Sequence, residues 1–378
     1  MNRSGKYVKN LSGVAEYMSF RPAPLPPDPP PEISGAVSEK LFNAVKLLAR
    51  LDAASEFIPD ADLFVSMYVR KEALLSSQIE GTQCTLEDIL DPDRDESKNL
   101  DVEDVVNYIK AVRFALDRLQ TLPLCNRLIC EIHSVLMSGV RGSEKNPGEL
   151  RKSQNWIGPA GSSIRNARYV PPNVDDMKEA LNMLEAYMNG NSDTPLVAAA
   201  LIHYQFETIH PFLDGNGRVG RLLILLYLIE KKLLKKPVLY VSYFLKLNQL
   251  EYYDRMSEVR RTGNYEQWIE FFLDAVSAGA EDATRSISDL SELHRKNEAK
   301  LSASGRVSSK LRSLFAYIER QPIIDITLTA KALGVSYNTV SSGVKRLVDM
   351  GILSETTNAR RNRIFVYTDY LEILKRGT

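Results

Sequence analysis

The 378-residue chain carries 48 Lys and Arg against 48 Asp and Glu, with 44% hydrophobic residues. That length buries a sizeable core and divides into two or three domains, and the composition is ordinary for a soluble protein. Three cysteines (Cys84, Cys125, Cys130) and four histidines have neither metal-ligand spacing nor a disulfide framework, which fits a reducing cytosol. No apolar run follows Met1-Asn2-Arg3-Ser4-Gly5-Lys6, so a cytoplasmic protein with no secretory signal and no membrane span is expected.

Residues 1–35 are polar and then proline-rich, with seven prolines between Arg21 and Pro31. They read as an extended arm lying on its own protein rather than a packed unit, with an SH3-type ligand as the other reading. Two helical patterns follow between about Ser38 and Leu90, separated by Phe57-Ile58-Pro59-Asp60. The second starts at Ala61 and ends on Ser76-Ser77-Gln78-Ile79-Glu80-Gly81, where Gly81 can serve simply as a helix C-cap. The acidic stretch Glu87 to Glu103 reads as a solvated loop.

Helical periodicity resumes at Val102 and runs to about Ala283, with one interruption. There, two β-prone runs, Ser153 to Gly158 and Ala167 to Pro172, flank the Gly/Ser/Pro-rich turn Gly158 to Ser163 and predict a hairpin. Thr194-Pro195 then opens an apolar helix that should end near Thr208. The apolar run Leu222 to Ile229 is too short to span a bilayer and reads as a buried helix.

Between those helices lies His210-Pro211-Phe212-Leu213-Asp214-Gly215-Asn216-Gly217-Arg218-Val219-Gly220-Arg221. Glycines at a helix start make an anion site, because first-turn N–H groups and the helix dipole face the ligand. Arg218 and Arg221 lie one turn apart, so both guanidinium groups are expected on one polyphosphate. Asp214 suits Mg²⁺ bridging phosphate oxygens, and His210, titrating near neutrality, is the candidate general base. The combination points to nucleotidyl or phosphoryl transfer onto a hydroxyl. Further on, Tyr252-Tyr253 lies on an amphipathic helix, Gly263-Asn264 marks a turn, and 286–305 reads as a polar helical connector.

Residues 306–378 hold 12 Lys and Arg against 6 Asp and Glu. Ile326 to Leu333, Gly334 and a second helix capped by Ser336 give helix, turn, helix, followed by a basic tip (Arg360, Arg361, Arg363) and the β-run Ile364 to Thr368. This resembles a winged helix-turn-helix. Such modules bind DNA, with Tyr337, Asn338, Thr339 and Ser341 toward the bases and Lys345, Arg346 and the wing arginines on the backbone, or serve as protein-interaction and dimerisation units.

The His210 to Arg221 stretch resembles the Fic family signature His-Pro-Phe-x-Asp/Glu-Gly-Asn-Gly-Arg-x-x-Arg at every defined position. The resemblance implies a mainly α, Fic-type helical core and AMP transfer from ATP to a protein Ser, Thr or Tyr hydroxyl. It makes His210 the base, Asp214 the Mg²⁺ ligand, Gly215, Asn216 and Gly217 the anion hole, and Arg218 and Arg221 the β- and γ-phosphate ligands. Gly148-Glu149-Leu150-Arg151 and the 153–172 hairpin, with Ile157 and Gly158, are similar to the family's flap over the active site. Tyr252 would lie near the adenine. The Ser76, Glu80, Gly81 pattern resembles the inhibitory motif of self-restrained Fic proteins, whose glutamate pairs with the second signature arginine.

The implied layout is a 1–35 arm, a 36–100 region with the inhibitory helix, a 101–285 catalytic domain, a 286–305 connector and a 306–378 winged helix. The expected partners are a protein substrate, with DNA or a second copy of the chain at the winged helix. Two other readings stand: a Doc-like phosphotransferase on the same scaffold, and a nucleotide-sensing transcription regulator. The intact base, His210, argues against the sensor.

Overall fold

The computed structural model describes residues 2–11, 16–56, 61–91, 99–139, 143–159, 161–190, 194–303, 308–356 and 363–376. The chain opens with an antiparallel hairpin, β1 (Gly5–Asn10) and β2 (Tyr17–Pro22), in register from Gly5↔Pro22 to Asn10↔Tyr17. The N-terminal segment is therefore not a loose extended arm. Phe20 is buried, its amide donates to the Val170 carbonyl at 3.0 Å, and Gln205 Nε2 donates to Ala23 O at 2.8 Å. The proline run masked an aromatic anchor, since Phe20 also packs edge-on against Tyr7.

The body is helical: α1 (Gly35–Glu56), α2 (Ala61–Ile79), α3 (Leu86–Leu90), α4 (Leu100–Leu119), α5 (Asn126–Leu136), α6 (Val174–Asn189), α7 (Pro195–Ile209), α8 (Asn216–Glu230), α9 (Ser242–Leu247), α10 (Gln249–Thr262) and α11 (Tyr265–Ala303). At its centre α7 and α8 pack together, apolar on every side and buried along nearly their whole length. The acidic 87–103 stretch is not all loop. Thr85 and Asp88 form a capping box that starts α3, and Asn99 caps α4. The expected 153–172 hairpin reduces to one antiparallel bridge, Ile157↔Tyr169, with N···O distances of 2.8 and 3.0 Å. Pro159 and the polar residues around it cannot sustain a longer ladder.

Residues 286–303 of the expected helical connector continue α11, a single 39-residue helix, and bury Ile287, Leu290, Leu293 and Leu301. Through His294, Asn297 and Lys300 this half of α11 meets the C-terminal module, built from α12 (Ser309–Arg320), β3 (Ile323–Asp325), α13 (Ile326–Leu333), α14 (Tyr337–Asp349), β4 (Ser354–Glu355), β5 (Ile364–Val366) and α15 (Thr368–Lys375). Its sheet has the antiparallel order β3-β5-β4. Gly334, at φ +63°, ends α13 and Ser336 caps α14 through the Thr339 amide. Asn297 Nδ2 donates to Tyr367 Oη at 2.6 Å, and Gln321 and Lys375 reach back to Leu90 and Glu87, so the module is docked on α11 and α3. Arg360 and Arg361 lie outside the described residues, and Arg363 pairs with Glu355. Among the described residues no helix is long and apolar enough to cross a membrane.

Candidate active site

The α7–α8 turn is held from four sides. His210 caps α7 in the left-handed region (φ 50°, ψ 62°), a conformation a non-glycine residue keeps only where its surroundings impose it. Arg151 imposes it in part: its amide donates to Pro211 O at 2.9 Å and its Nε to His210 O at 3.0 Å. Asn216 closes the turn on itself, accepting from Phe212 N at 2.8 Å and donating to Phe212 O at 2.9 Å. Asn155 Nδ2 donates to the same carbonyl at 3.0 Å.

His133 supports the turn from below, stacked on Phe212 with ring centroids 3.8 Å apart. Its Nδ1 accepts from the Gly148 amide at 2.9 Å, which leaves Nε2–H to donate to Asp214 O at 3.0 Å. Burial pushes this imidazole down to about 4, so it stays neutral and keeps that tautomer.

At the start of α8, Gly215 supplies φ +77° at the N-cap. The side-chain amide of Asn216 is consumed by Phe212, so any part Asn216 plays in an anion hole falls to its backbone N–H. A side chain on Gly217 would collide with Glu80 Oε1, so a carboxylate oxygen lies directly against the first turn of α8. The same oxygen accepts from Arg221 Nη2 at 2.7 Å, while Arg221 Nε and Nη2 donate to Ser76 Oγ and Ser76 O, each at 2.8 Å. Ser76 and Glu80 thus hold the second arginine jointly from α2 and the residue just past it, and Gly81 (φ +97°) turns the chain away.

Arg218 takes different neighbours. Its guanidinium lies 3.7 Å from Asp214, 3.9 Å from Asp104 and 3.6 Å from Met137 Sδ. The two arginines, a turn apart, have different neighbours, Arg221 being held from α2 and Arg218 lying beside Asp214 and Asp104 of α4. The Asp214 carboxylate is half-exposed, with Oδ1 accepting from Gly215 N at 2.6 Å. One such carboxylate beside an anion turn fits Mg²⁺ held mainly by phosphate and water; among the described residues no cluster of three potential ligands occurs.

Above the turn lies a cavity of about 500 Å³. His210, Gly217 and Arg221 line one end, Ile157 and Gly158 roof it, and Tyr252, Tyr253 and Met256 form an apolar wall. Tyr252 presents its ring while its hydroxyl is engaged with His203 Nε2 at 2.9 Å. Burial lowers His210 to about 4, and its Nδ1 is sealed in protein, which leaves Nε2 as the nitrogen available to the cavity. His133, Arg151 and Glu207 were not singled out as site residues in the sequence, for each depends on contacts between distant segments.

A helical core that presents a histidine, an N-terminal anion turn and a buried arginine on one cavity, with a second buried arginine on the same helix, defines a Fic-type fold. Residues 123–228 match the Fic/DOC family profile and residues 38–117 match the Fic/DOC family N-terminal profile, so these two regions are of the Fic/DOC family. It is similar to a protein adenylyltransferase Fic of Aedes aegypti, 32% identical over 149 residues, covering 39% of this chain and 26% of that protein. A protein adenylyltransferase Fic of Drosophila grimshawi is 35% identical over 109 residues, 28% of this chain and 20% of that one. The chain thus spans about a quarter or less of these relatives' length. In fold it is similar to a Fic family protein from Desulfovibrio desulfuricans G20 (TM-score 0.58, 20% identity, 89% of this chain and 97% of that one). A Fic domain containing signaling protein from Bacteroides thetaiotaomicron VPI-5482 gives a TM-score of 0.53 at 18% identity over 65% of this chain and 97% of that one.

Proposed function

We propose that the protein is a self-inhibited adenylyltransferase that moves AMP from ATP onto Ser, Thr or Tyr hydroxyls of target proteins, itself included. The observation that carries this reading is the Glu80 carboxylate, lying against Gly217 and paired with Arg221. An anion already sits where a phosphate would, on the helix start and arginine that would hold it. The names of the Aedes and Drosophila relatives favour the same activity.

In this reading the target hydroxyl gives its proton to His210 Nε2 as its oxygen bonds the α-phosphorus, and the bond to the β-phosphate oxygen breaks to release pyrophosphate. Gly215 and the amides of Asn216 and Gly217 receive the α-phosphate, Arg218 and Arg221 the outer phosphates, and Asp214 Mg²⁺. Ile157 and Gly158 align the target strand, and Tyr252 borders the base. The inhibitory role belongs to Ser76, Glu80 and Gly81.

The C-terminal module is proposed to be a winged helix, on the strength of its helix-turn-helix and three-stranded sheet. Tyr337, half-exposed at the start of α14, leaves DNA or a second protein chain as its partner, and a cytoplasmic location suits both. Incubation with α-labelled and, separately, γ-labelled ATP in a lysate tests the reaction. Label from the α position alone means AMP transfer, and label from γ alone means the phosphotransferase reading.

A further inference from the structure

Glu207 is the sole acidic residue of α7, a mainly apolar and buried helix, one turn before His210. Its Oε1 is shut away from solvent and has no hydrogen-bond partner among the described residues. The residue nevertheless lines the 500 Å³ cavity, together with Arg221, Arg260 and the two tyrosines. A second feature points to the same place. In α8 a Cβ at Gly220 would collide with Glu207 Oε1, so a glycine in a helix interior keeps room for this carboxyl. Gly220 occupies an undefined position of the signature and Glu207 lies outside it. Neither residue is required by the anion turn.

A buried acceptor without a partner is costly and is retained where something else supplies the donor. Phosphate oxygens only accept, and the anion turn with its arginines already serves them. Burial raises the Glu207 carboxyl to about 8, with Arg221 and Arg260 drawing it down and Glu80 pushing it up, so at neutral pH it can both donate and accept. The tyrosine and methionine wall beside it suits a flat, apolar ring more than a peptide backbone.

We propose that Glu207 is a specificity-determining residue that accepts a hydrogen bond from the nucleoside of the bound nucleotide, from a ribose hydroxyl or from the exocyclic amine of the base. The proposal rests on the reading of the cavity as an ATP site. It also explains the Glu207–Gly220 pairing, which the transfer chemistry leaves unused.

The test is calorimetric binding of ATP, 2′-deoxy-ATP, 3′-deoxy-ATP and purine riboside triphosphate to the full chain. Wild type should bind ATP about tenfold more tightly than the analogue lacking the donor that Glu207 meets. Which analogue suffers tells ribose from base. Glu207→Ala and Glu207→Leu should erase that preference, and Glu207→Gln should restore it. Melting temperature separates recognition from structure: Glu207→Leu, which removes the orphaned oxygen, should melt no lower than wild type. A preference unchanged in both apolar variants, or a wild type that binds all four nucleotides equally, overturns the proposal. A wild type that binds none of them overturns the ATP-site reading with it.

Discussion

Arg221 Nη2 lies 2.7 Å from Glu80 Oε1, with the arginine side chain 1% exposed and the glutamate 36% exposed at the cavity edge. The pair is asymmetric, with a buried cation tied to a carboxylate that can leave. Glu80→Gly should therefore raise AMP incorporation above wild type, because the freed arginine can take the γ-phosphate. Arg221 keeps both Ser76 contacts, and solvent can enter the cavity, so the loss of stability without nucleotide should be small, about 1–3 kcal/mol. Adding ATP should raise the melting temperature of Glu80→Gly more than that of wild type. Incorporation equal to or below wild type would reduce the Ser76 to Gly81 segment to an ordinary helix end.

His210→Ala should lower transfer by about 10²- to 10⁴-fold while ATP still binds, since the phosphate contacts come from other residues. Burial places the imidazole near 4, so its base form is present above that value and is lost only as pH falls through it. Between pH 6 and 8 the rate should show no limb due to His210. A wild-type rate climbing through pH 6.5, with the climb absent from the residual rate of His210→Ala, would contradict this.

The Asp214→Ala variant should need more Mg²⁺ and turn over more slowly. His133→Phe keeps a ring against Phe212 but loses the bonds to Asp214 O and Gly148 N. Its Mg²⁺ titration should shift in the same direction as that of Asp214→Ala, by a smaller factor. An unshifted titration would mean that the placement of Asp214 does not depend on His133.

Glu72 is buried against Ser242 Oγ, and burial raises its carboxyl to about 7. A folded-state value above the ordinary one means that the folded protein holds this proton more tightly than the unfolded chain. Its contribution to stability is complete below about pH 4.5 and is lost as pH rises through 7. The melting temperature of Glu72→Gln should therefore gain on wild type between pH 5.5 and pH 8. A gap that does not change with pH would mean the carboxyl is already ionised at pH 5.5.

Ending the chain at Gly305 should leave the cavity and its chemistry intact but expose Leu290, Leu293 and Leu301, which are buried in the whole chain. Fully burying each such side chain is worth about 1.5–3 kcal/mol, so the truncated chain should melt several degrees lower and bind an apolar dye. An unchanged melting temperature would make the C-terminal module an independent appendage.

The residues of the proposed reaction were legible because they are local. Thr194-Pro195 starts α7, Gly215 turns the chain, and twelve consecutive residues carry the base, the anion turn and both arginines, so periodicity and backbone rules suffice to place them. Gly334 and Ser336 likewise mark the end of α13 and the start of α14 by their own conformational preferences. The sequence alone also raised the Glu80–Arg221 pairing, through resemblance, although 141 positions separate the two residues. What only the tertiary structure decided are matters of which surfaces meet. Phe20 finds Val170 and turns a proline-rich arm into a packed hairpin. Asn297 finds Tyr367 of the C-terminal module, and the expected connector is the far half of α11. The two arginines have different neighbours, Arg221 pairing with Glu80 just past α2 and Arg218 lying near Asp104 of α4. Nothing local marks His133 or Glu207, because folding sets one beneath Asp214 and the other against Gly220. Local chain geometry is written in neighbouring residues, whereas burial, tautomer and charge partner depend on segments that come together only in the folded chain.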